Sequence, residues 1–321
     1  MLYALTGATG SFGSALTRHL LATTSHHLRL ISRDEHKQAA MMREIPPSPR
    51  TTYILADIRD EERMRIALHN VDVLVHAAAL KTVPAGEMHI VEVVKVNVFG
   101  TMNLIAAAIE NKIPKSLLVS SDKAVQSING YGVTKSLAER LFIQANATGV
   151  SYGARFACVR GGNVWASRGS VVERWMKSSV ISVTQPEATR FHLAMDYWLA
   201  FCLQSIAQMR GGEIFVPLCR AWQLETLAEA FLAEFPDKRY TNVGARFSDK
   251  THECLISDYE RTHTTALHWG YAIEPSEELR SVWDYESHDG ASVGEALMSN
   301  KVKMLTKGEL REMIHAMREA K

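Results

Sequence analysis

No block of lysine and arginine occurs in the chain, and 36 basic against 35 acidic residues leave a formal net charge of +1. Without a long-range field to draw in a polyanion, nucleic acid is not an expected partner. Cysteine is scarce. Cys158, Cys202, Cys219 and Cys254 stand far apart with no CxxC spacing, which excludes a disulfide scaffold and fits reduced, buried thiols. No apolar run reads as long enough to span a bilayer, and too few residues precede the first glycine turn for a basic-then-apolar leader. A cytoplasmic protein without membrane contact is therefore expected. Repeats, low-complexity tracts and proline-rich linkers are missing too, and residues 46–49 read only as a surface loop. No metal is expected: after His252-Glu253, Ile256 stands where a metal helix would need its second histidine.

What remains is ordinary globular material, 46% hydrophobic over 321 residues, enough for a large core in one intertwined unit or two domains. Short apolar runs at 2–5, 28–31, 52–55, 71–75 and 116–119 alternate with helix-like stretches. Strands separated by helices mean a parallel sheet with ligands at the strands' carboxyl ends. The expected fold is α/β, a Rossmann-like doubly wound parallel sheet with a smaller, interleaved α/β substrate lobe. Residues 1–163 plus about 187–221 read as the nucleotide domain, and about 164–186 plus 222–321 as the second lobe. Beyond 222 helices and loops are expected. The tail closes on Thr306 and Glu309, a capping box, before Leu310, Met313, Ile314 and Met317 at helical spacing, a stripe that is core or a subunit contact.

Between the first strand and a helix, Thr6, Gly7, Thr9, Gly10, Ser11, Phe12 and Gly13 form a GxxGxxG turn. Glycine lets backbone N–H groups at a helix N-terminus approach a pyrophosphate. At the second strand's tip, Ser32, Arg33 and Lys37 offer donors and charge to a 2′-phosphate, whereas Asp34 would hold an unmodified ribose. NADP is favoured over NAD. Asp57 and Ile58 are placed at the adenine, and Ala77, Ala78 and Ala79 give a small-residue wall.

Ser120, Ser121, Asp122 and Lys123 end the next strand, and Tyr131 and Lys135 follow at i and i+4. On a helix these two share a face, and an ammonium near a phenol favours the phenolate, so Tyr131 can take a proton from a substrate hydroxyl. Ser121 would bond the same hydroxyl. Asp122 and Lys123 exceed what hydride transfer requires and read as a second acid/base pair.

Thr6 to Gly13 with Tyr131 and Lys135 resembles the extended short-chain dehydrogenase/reductases. The stretches SRDEHKQ at 32–38, HAAALKTVP at 76–84, SDKA at 121–124, RGGNV at 160–164, SRGSV at 167–171, TRF at 189–191, GGEIFVP at 211–217 and KTHE at 250–253 narrow the likeness. They resemble the soluble, inverting UDP-N-acetylglucosamine 4,6-dehydratases of pseudaminic-acid and capsule pathways, from position 2 to about 256. The resemblance implies a redox-neutral elimination on a UDP-sugar. Tyr131 takes the O4 proton, Lys123 the C5 proton, and Asp122 protonates the departing 6-hydroxyl. It also implies that Lys81 lines the pocket on both the cofactor and the sugar side, that Asn163, Arg168 and Arg190 hold the nucleotide diphosphate, that Ser170 and Val171 bind the substrate, and that Glu253 touches the uridine ribose or braces Lys250. A homo-oligomer built through helices of the nucleotide lobe is expected. The chain departs from the family pattern at Ser121, usually threonine, at His192, usually tryptophan, at His89-Ile90 and at Phe247-Ser248-Asp249, which puts the sugar in question. A nucleotide-sugar C4 epimerase, needing only Ser121, Tyr131 and Lys135, and a catalytically silent NADP(H)-binding protein are the competing readings.

Overall fold

A computed structural model of the chain describes residues 1–319. The strands β1 (Leu2–Thr6), β2 (His27–Ser32), β3 (Thr51–Leu55), β4 (Val73–His76), β5 (Lys115–Ser121) and β6 (Arg155–Gly161) alternate with helices, of which α1 (Ser11–Thr23), α2 (Glu35–Glu44) and α3 (Glu61–Ala67) are the first three. They lie in the order β3-β2-β1-β4-β5-β6, every pair parallel. The continuous hydrophobic strands have two covered faces. Along β1, β4 and β5, Ala4, Leu74 and Leu118 enter one core, while Leu5, Val75 and Leu117 enter the other. Burial on both faces makes the uninterrupted apolar pattern necessary. The chain runs outward from β1 to β3 and then returns to place β4 on the other side of β1. The reversal opens a crevice at the carboxyl ends of these strands, where ligands of such sheets bind.

Past β6 the sheet continues with a parallel strand, Ile214–Pro217, and then the antiparallel strands Gly270–Ile273, Thr264–Leu267 and Ala291–Ser292. This departs from the expectation of helices and loops after 222, and from the placing of all that segment in the second lobe. The strands are short and polar-rich, so they carry no clear period; what recruits them is Ala272 and Ile273, which cover the two cores at the sheet edge. The smaller lobe holds a sheet of Arg220–Gln223, Thr189–Leu193 and Asn163–Val164, and a pair of Arg239–Asn242 with Val180–Val183. Its own core joins Trp175, Ile181, Val183, Phe231, Leu310 and Ile314. The terminal stripe is therefore core, and the capping box is made: the Thr306 amide donates to Glu309 at 2.8 Å and the Glu309 amide to Thr306 Oγ1 at 3.3 Å.

One expectation is corrected. A continuous helix from Ile90 to Glu110 is, by length and composition, apolar enough to cross a membrane. Its composition is explained by its neighbours, since it packs on α3 and on the helix Gly130–Gln144 with Val93, Val96, Leu104 and Ala108 enclosed. A wide turn at Lys95–Phe99 sits where buried Asn97 reaches out, bonding Leu80 in both directions (2.8 and 3.0 Å) and Thr134 Oγ1 at 3.0 Å. That side chain ties the loop after β4 to the helix carrying Tyr131.

Arg160, near the end of β6, ties the helix Gly130–Gln144 to the segment 255–260. Its guanidinium grips buried Glu139 through two bonds (3.1 and 2.6 Å), the Leu255 carbonyl at 2.8 Å and Glu260 at 2.9 Å. A buried charge of this kind is tolerable only while paired. Replacing Arg160 with Met strands Glu139, and equilibrium urea unfolding should lose about 3–5 kcal/mol.

Candidate active site

Gly7 lies at φ +69°, and a Cβ there would sit 2.8–2.9 Å from the backbone of Ala77 and Ala78. Only glycine lets the turn after β1 lie on the exit of β4 in this way. Thr9, Gly10, Ser11, Phe12 and Gly13 carry the turn into α1 and line a cleft of about 980 Å³, with Ala77, Ala78, Ala79 and Lys81 along its other wall. Thirteen helical residues stand behind the N-terminal amides of α1, which suits an anion. Thr6 is the exception among the expected cofactor residues. Its hydroxyl lies 2.8 Å from His76 Nδ1 beneath the cleft floor, and His76 Nε2 lies 3.1 Å from Thr101 Oγ1. Burial, then the charge of Lys135, pushes the His76 pKa down to about 3, so the ring is a neutral strut.

Ser32, Arg33, Lys37, Asp57 and Ile58 line the far end of the same cleft. Asp34 lines this end too, and it caps α2 by accepting from the Lys37 amide at 2.9 Å and pairs with the Lys37 ammonium at 2.6 Å. Arg33 is half exposed and stands 3.5 Å from Asp57.

At the other end, β5 finishes on Ser121, whose hydroxyl accepts from the Lys123 amide at 3.3 Å and donates to Asp122 Oδ1 at 2.8 Å. The helix Gly130–Gln144 begins at Asn129, which caps the Gly132 amide at 2.8 Å. A Cβ at Gly132 would be 2.2 Å from the Lys123 carbonyl oxygen. That missing side chain is what allows Tyr131 to stand beside Lys123. Tyr131 and Lys135 are both buried, but the Lys135 ammonium donates to the Val119 carbonyl at 2.8 Å. Burial lowers the Lys135 pKa to about 8 against the pull of Glu139. Burial pushes Tyr131 up to about 12, and the charge of Lys123 opposes it.

Lys123 Nζ lies 2.9 Å from Asp122 Oδ1 and 3.3 Å from Glu253 Oε1. Burial favours the free amine, but these carboxylates outweigh it and hold the ammonium. Asp122 is fully enclosed and absent from the cleft wall, whereas Ser121, Lys123, Tyr131 and Glu253 all line it. A direct contact of Asp122 with a departing hydroxyl therefore does not follow from this arrangement. Asn163, Arg168, Ser170, Val171 and Arg190 line the cleft as expected. Within that group Arg168 bonds the Thr9 carbonyl and its amide donates to Ser11 Oγ at 3.0 Å, clasping the glycine turn. Ser170 caps the helix Val171–Lys177, accepting from the Glu173 amide at 3.2 Å. Sequence reasoning missed Arg174, Arg246, Ser182, Thr184 and Trp222, which also line the cleft. They come from separate elements and carry no motif that could have announced them.

A family model described as polysaccharide biosynthesis protein matches residues 4–275. The chain belongs to that family. Within it, an inverting UDP-N-acetylglucosamine 4,6-dehydratase of Campylobacter jejuni is 37% identical over 86% of this chain and 83% of its own length. A UDP-glucose 4-epimerase of Rickettsia felis is 35% identical over 89% of this chain and 90% of its own. Among solved structures, Pen from Bacillus thuringiensis superposes with a TM-score of 0.90 at 27% identity, covering 99% of this chain and 97% of that one.

Of the positions that depart from the family pattern, Ser121, Ser248 and Asp249 line the cleft, whereas His89, His192 and Phe247 do not. His192 packs edge-on against Trp165 with its ring centroid 5.5 Å away, and Arg220 and burial leave it neutral, its pKa near about 4. His89 is exposed between two short helices, and Phe247 points wholly into solvent. Neither they nor His192 line the cleft.

The two shifted groups on the Tyr131 helix have opposite consequences for stability. Between about pH 8 and 10.5 the folded chain binds fewer protons at Lys135 than the unfolded chain, so stability rises with pH. Between about pH 10 and 12 folded Tyr131 keeps a proton that the unfolded phenol loses, so stability falls. Compared at each pH, the urea midpoint of wild type relative to Lys135→Met should rise across the first range, and that of wild type relative to Tyr131→Phe should fall across the second.

Proposed function

We propose that this protein catalyses the NADP-dependent, redox-neutral 4,6-dehydration of a UDP-N-acetylhexosamine, UDP-N-acetylglucosamine above all, to a 4-keto-6-deoxy sugar with inversion at C5. The observation that carries this reading is the convergence of Ser121, Lys123, Tyr131 and Glu253 at one end of a cleft whose other end is the glycine turn and the start of α1. Relatives bearing the dehydratase name across most of the chain support it. A bound nicotinamide would supply the chemistry of taking and returning a hydride. Tyr131 takes the O4 proton, with Ser121 bonding the same oxygen. The 4-keto group makes the C5 hydrogen acidic, and Lys123 removes it. Asp122 acts from behind, through Ser121 and Lys123. Arg190, Arg168 and Asn163 face the diphosphate, and Ser170 and Val171 the sugar-nucleotide. Such a protein belongs to bacterial surface-glycan synthesis, of the pseudaminic-acid kind, in the cytoplasm. Exposed Phe99, Met102, Val133 and Leu137 on the helices of the nucleotide lobe suit a homo-oligomer.

The relatives named UDP-glucose 4-epimerase favour a second reading, epimerisation at C4, which requires Tyr131 but gives Lys123 no proton to move. The purified protein incubated with UDP-N-acetylglucosamine in D2O, with no added reductant, separates the two by NMR. A 4-keto-6-deoxy product labelled at C5 is expected, and Lys123→Ala should abolish the label while cofactor affinity stays within about twofold. A change at C4 with no water lost would establish the epimerase instead.

The choice of NADP rests on Asp34, whose carboxylate is used in capping, and on half-exposed Arg33 beside it. One charge-assisted contact to a 2′-phosphate is worth about 1.5–3 kcal/mol. Arg33→Ala should therefore weaken NADP binding by about tenfold or more in titration calorimetry and leave NAD binding nearly unchanged. Equal losses for both would point to NAD.

A further inference from the structure

The turn between β5 and the helix Gly130–Gln144 has Lys123 near its start and Tyr131 just past its end, and it is fastened from outside at two points. Lys250 donates to the Val125 carbonyl, and Asn129 Nδ2 donates to the Ser248 carbonyl at 3.0 Å. Both fastenings belong to one loop. Residues 243–250 leave the smaller lobe after the strand Arg239–Asn242, where the Val243 amide bonds the Val183 carbonyl at 2.8 Å, and reach across to the nucleotide lobe. Arg246, Ser248, Asp249 and Lys250 line the cleft on the way. The Arg246 guanidinium makes no hydrogen bond or close ion pair among the described residues, and nor does that of Arg174, which lines the cleft from the helix Val171–Lys177 and feels the charges of Arg246 and Asp249. Two such groups suit an anion, and the diphosphate of a UDP-sugar is one.

Asn129 serves both sides of this junction. Its Oδ1 accepts from the Gly132 amide at 2.8 Å and so caps the helix that carries Tyr131, while its Nδ2 holds the loop. Serine or aspartate would cap the helix as well, but an amide side chain offers an acceptor to the helix and a donor to a carbonyl together. At 8% exposed, either atom left alone would be costly to enclose. We propose that Asn129 is a positioning residue, tying the loop that grips the nucleotide to the helix that presents Tyr131, so that a substrate held at Arg246 meets the phenol in register. Its part in the elimination rests on the dehydration reading above, whereas the tie itself requires only that a UDP-sugar enters the cleft. Register matters because a misplacement of about 1 Å costs on the order of 100-fold in rate. Lys250, the second fastening, stands 3.7 Å from Glu253, which in turn faces Lys123. One loop thereby holds the lysine end and the tyrosine end of the turn.

Two variants separate the tie from the cap. Asn129→Asp still accepts from Gly132 but turns an acceptor toward the Ser248 carbonyl, and Asn129→Ser keeps the cap and drops the tie. In the full chain with UDP-N-acetylglucosamine in D2O, both should lower the saturated rate of C5 exchange by at least about tenfold while UDP affinity, measured by calorimetry, stays within about twofold of wild type. An unchanged saturated rate overturns the proposal. A loss of UDP affinity with the saturated rate intact overturns it too, because Asn129 then serves the loop alone. A second readout needs no turnover. In the NADP-saturated wild type, UDP should slow amide exchange, followed by mass spectrometry, in peptides covering both 243–250 and 124–134; in Asn129→Ser the protection should remain in 243–250 and be lost from 124–134. Protection of 124–134 that survives in Asn129→Ser overturns the tie whatever reaction the wild type performs, and so does wild-type protection confined to the loop. Coupled protection in a wild type that changes C4 and loses no water upholds the tie and overturns the dehydration reading alone.

Discussion

The ammonium of Lys123 is the constraint on which the rest of the cleft depends. A partly buried charge, 24% exposed, is costly unless opposite charge meets it, and here it is met from two directions. Asp122 comes from the turn after β5, and Glu253 from the segment that follows the smaller lobe's edge. Neutralising one buried lysine therefore draws together parts of the chain that are remote in sequence. Arg190 and Lys250 gather around Glu253 for the same reason. The cluster is at once a seam between the two halves of the molecule and the chemically active wall of the cleft.

Gly132 makes that seam possible. Without a side chain there, the helix Gly130–Gln144 approaches the Lys123 carbonyl closely enough for Tyr131 to share the cation's field. Lys135, one turn on, is held by the Val119 carbonyl and exerts its influence by fixing the helix to β5. The charge that opposes burial of the phenol is the one that Asp122 and Glu253 sustain. Relatives similar to this chain over most of its length are named for dehydration and for epimerisation.

Much of this was legible in the residues. The glycine turn, the serine end of β5 and the Tyr131/Lys135 pair are local, each formed by a few neighbours whose spacing already encodes a turn, a strand end or a helix face. The doubly wound sheet was legible for the same reason, because strands buried on both faces must be apolar throughout. Other parts were not. The edge strands at 264–273 have no period of their own and exist through pairing with Ile214–Pro217. Thr6 reads as a cofactor contact because it stands in the turn, yet its hydroxyl points below the floor to His76. The apolar helix at 90–110 resembles a span by composition until its neighbours are seen to cover it.

Sequence by itself determined which groups were available for chemistry and in what local geometry they would be presented, since strand, turn and helix are set by interactions among near neighbours. It assigned the second acid/base pair to Asp122 and Lys123 because they are adjacent. Only the tertiary structure decided that Asp122 is walled in and that Glu253 stands opposite the lysine at the cleft. The reason is physical: which carboxylate faces solvent and which faces the core depends on how two lobes close over a buried charge, and no spacing along the chain records that.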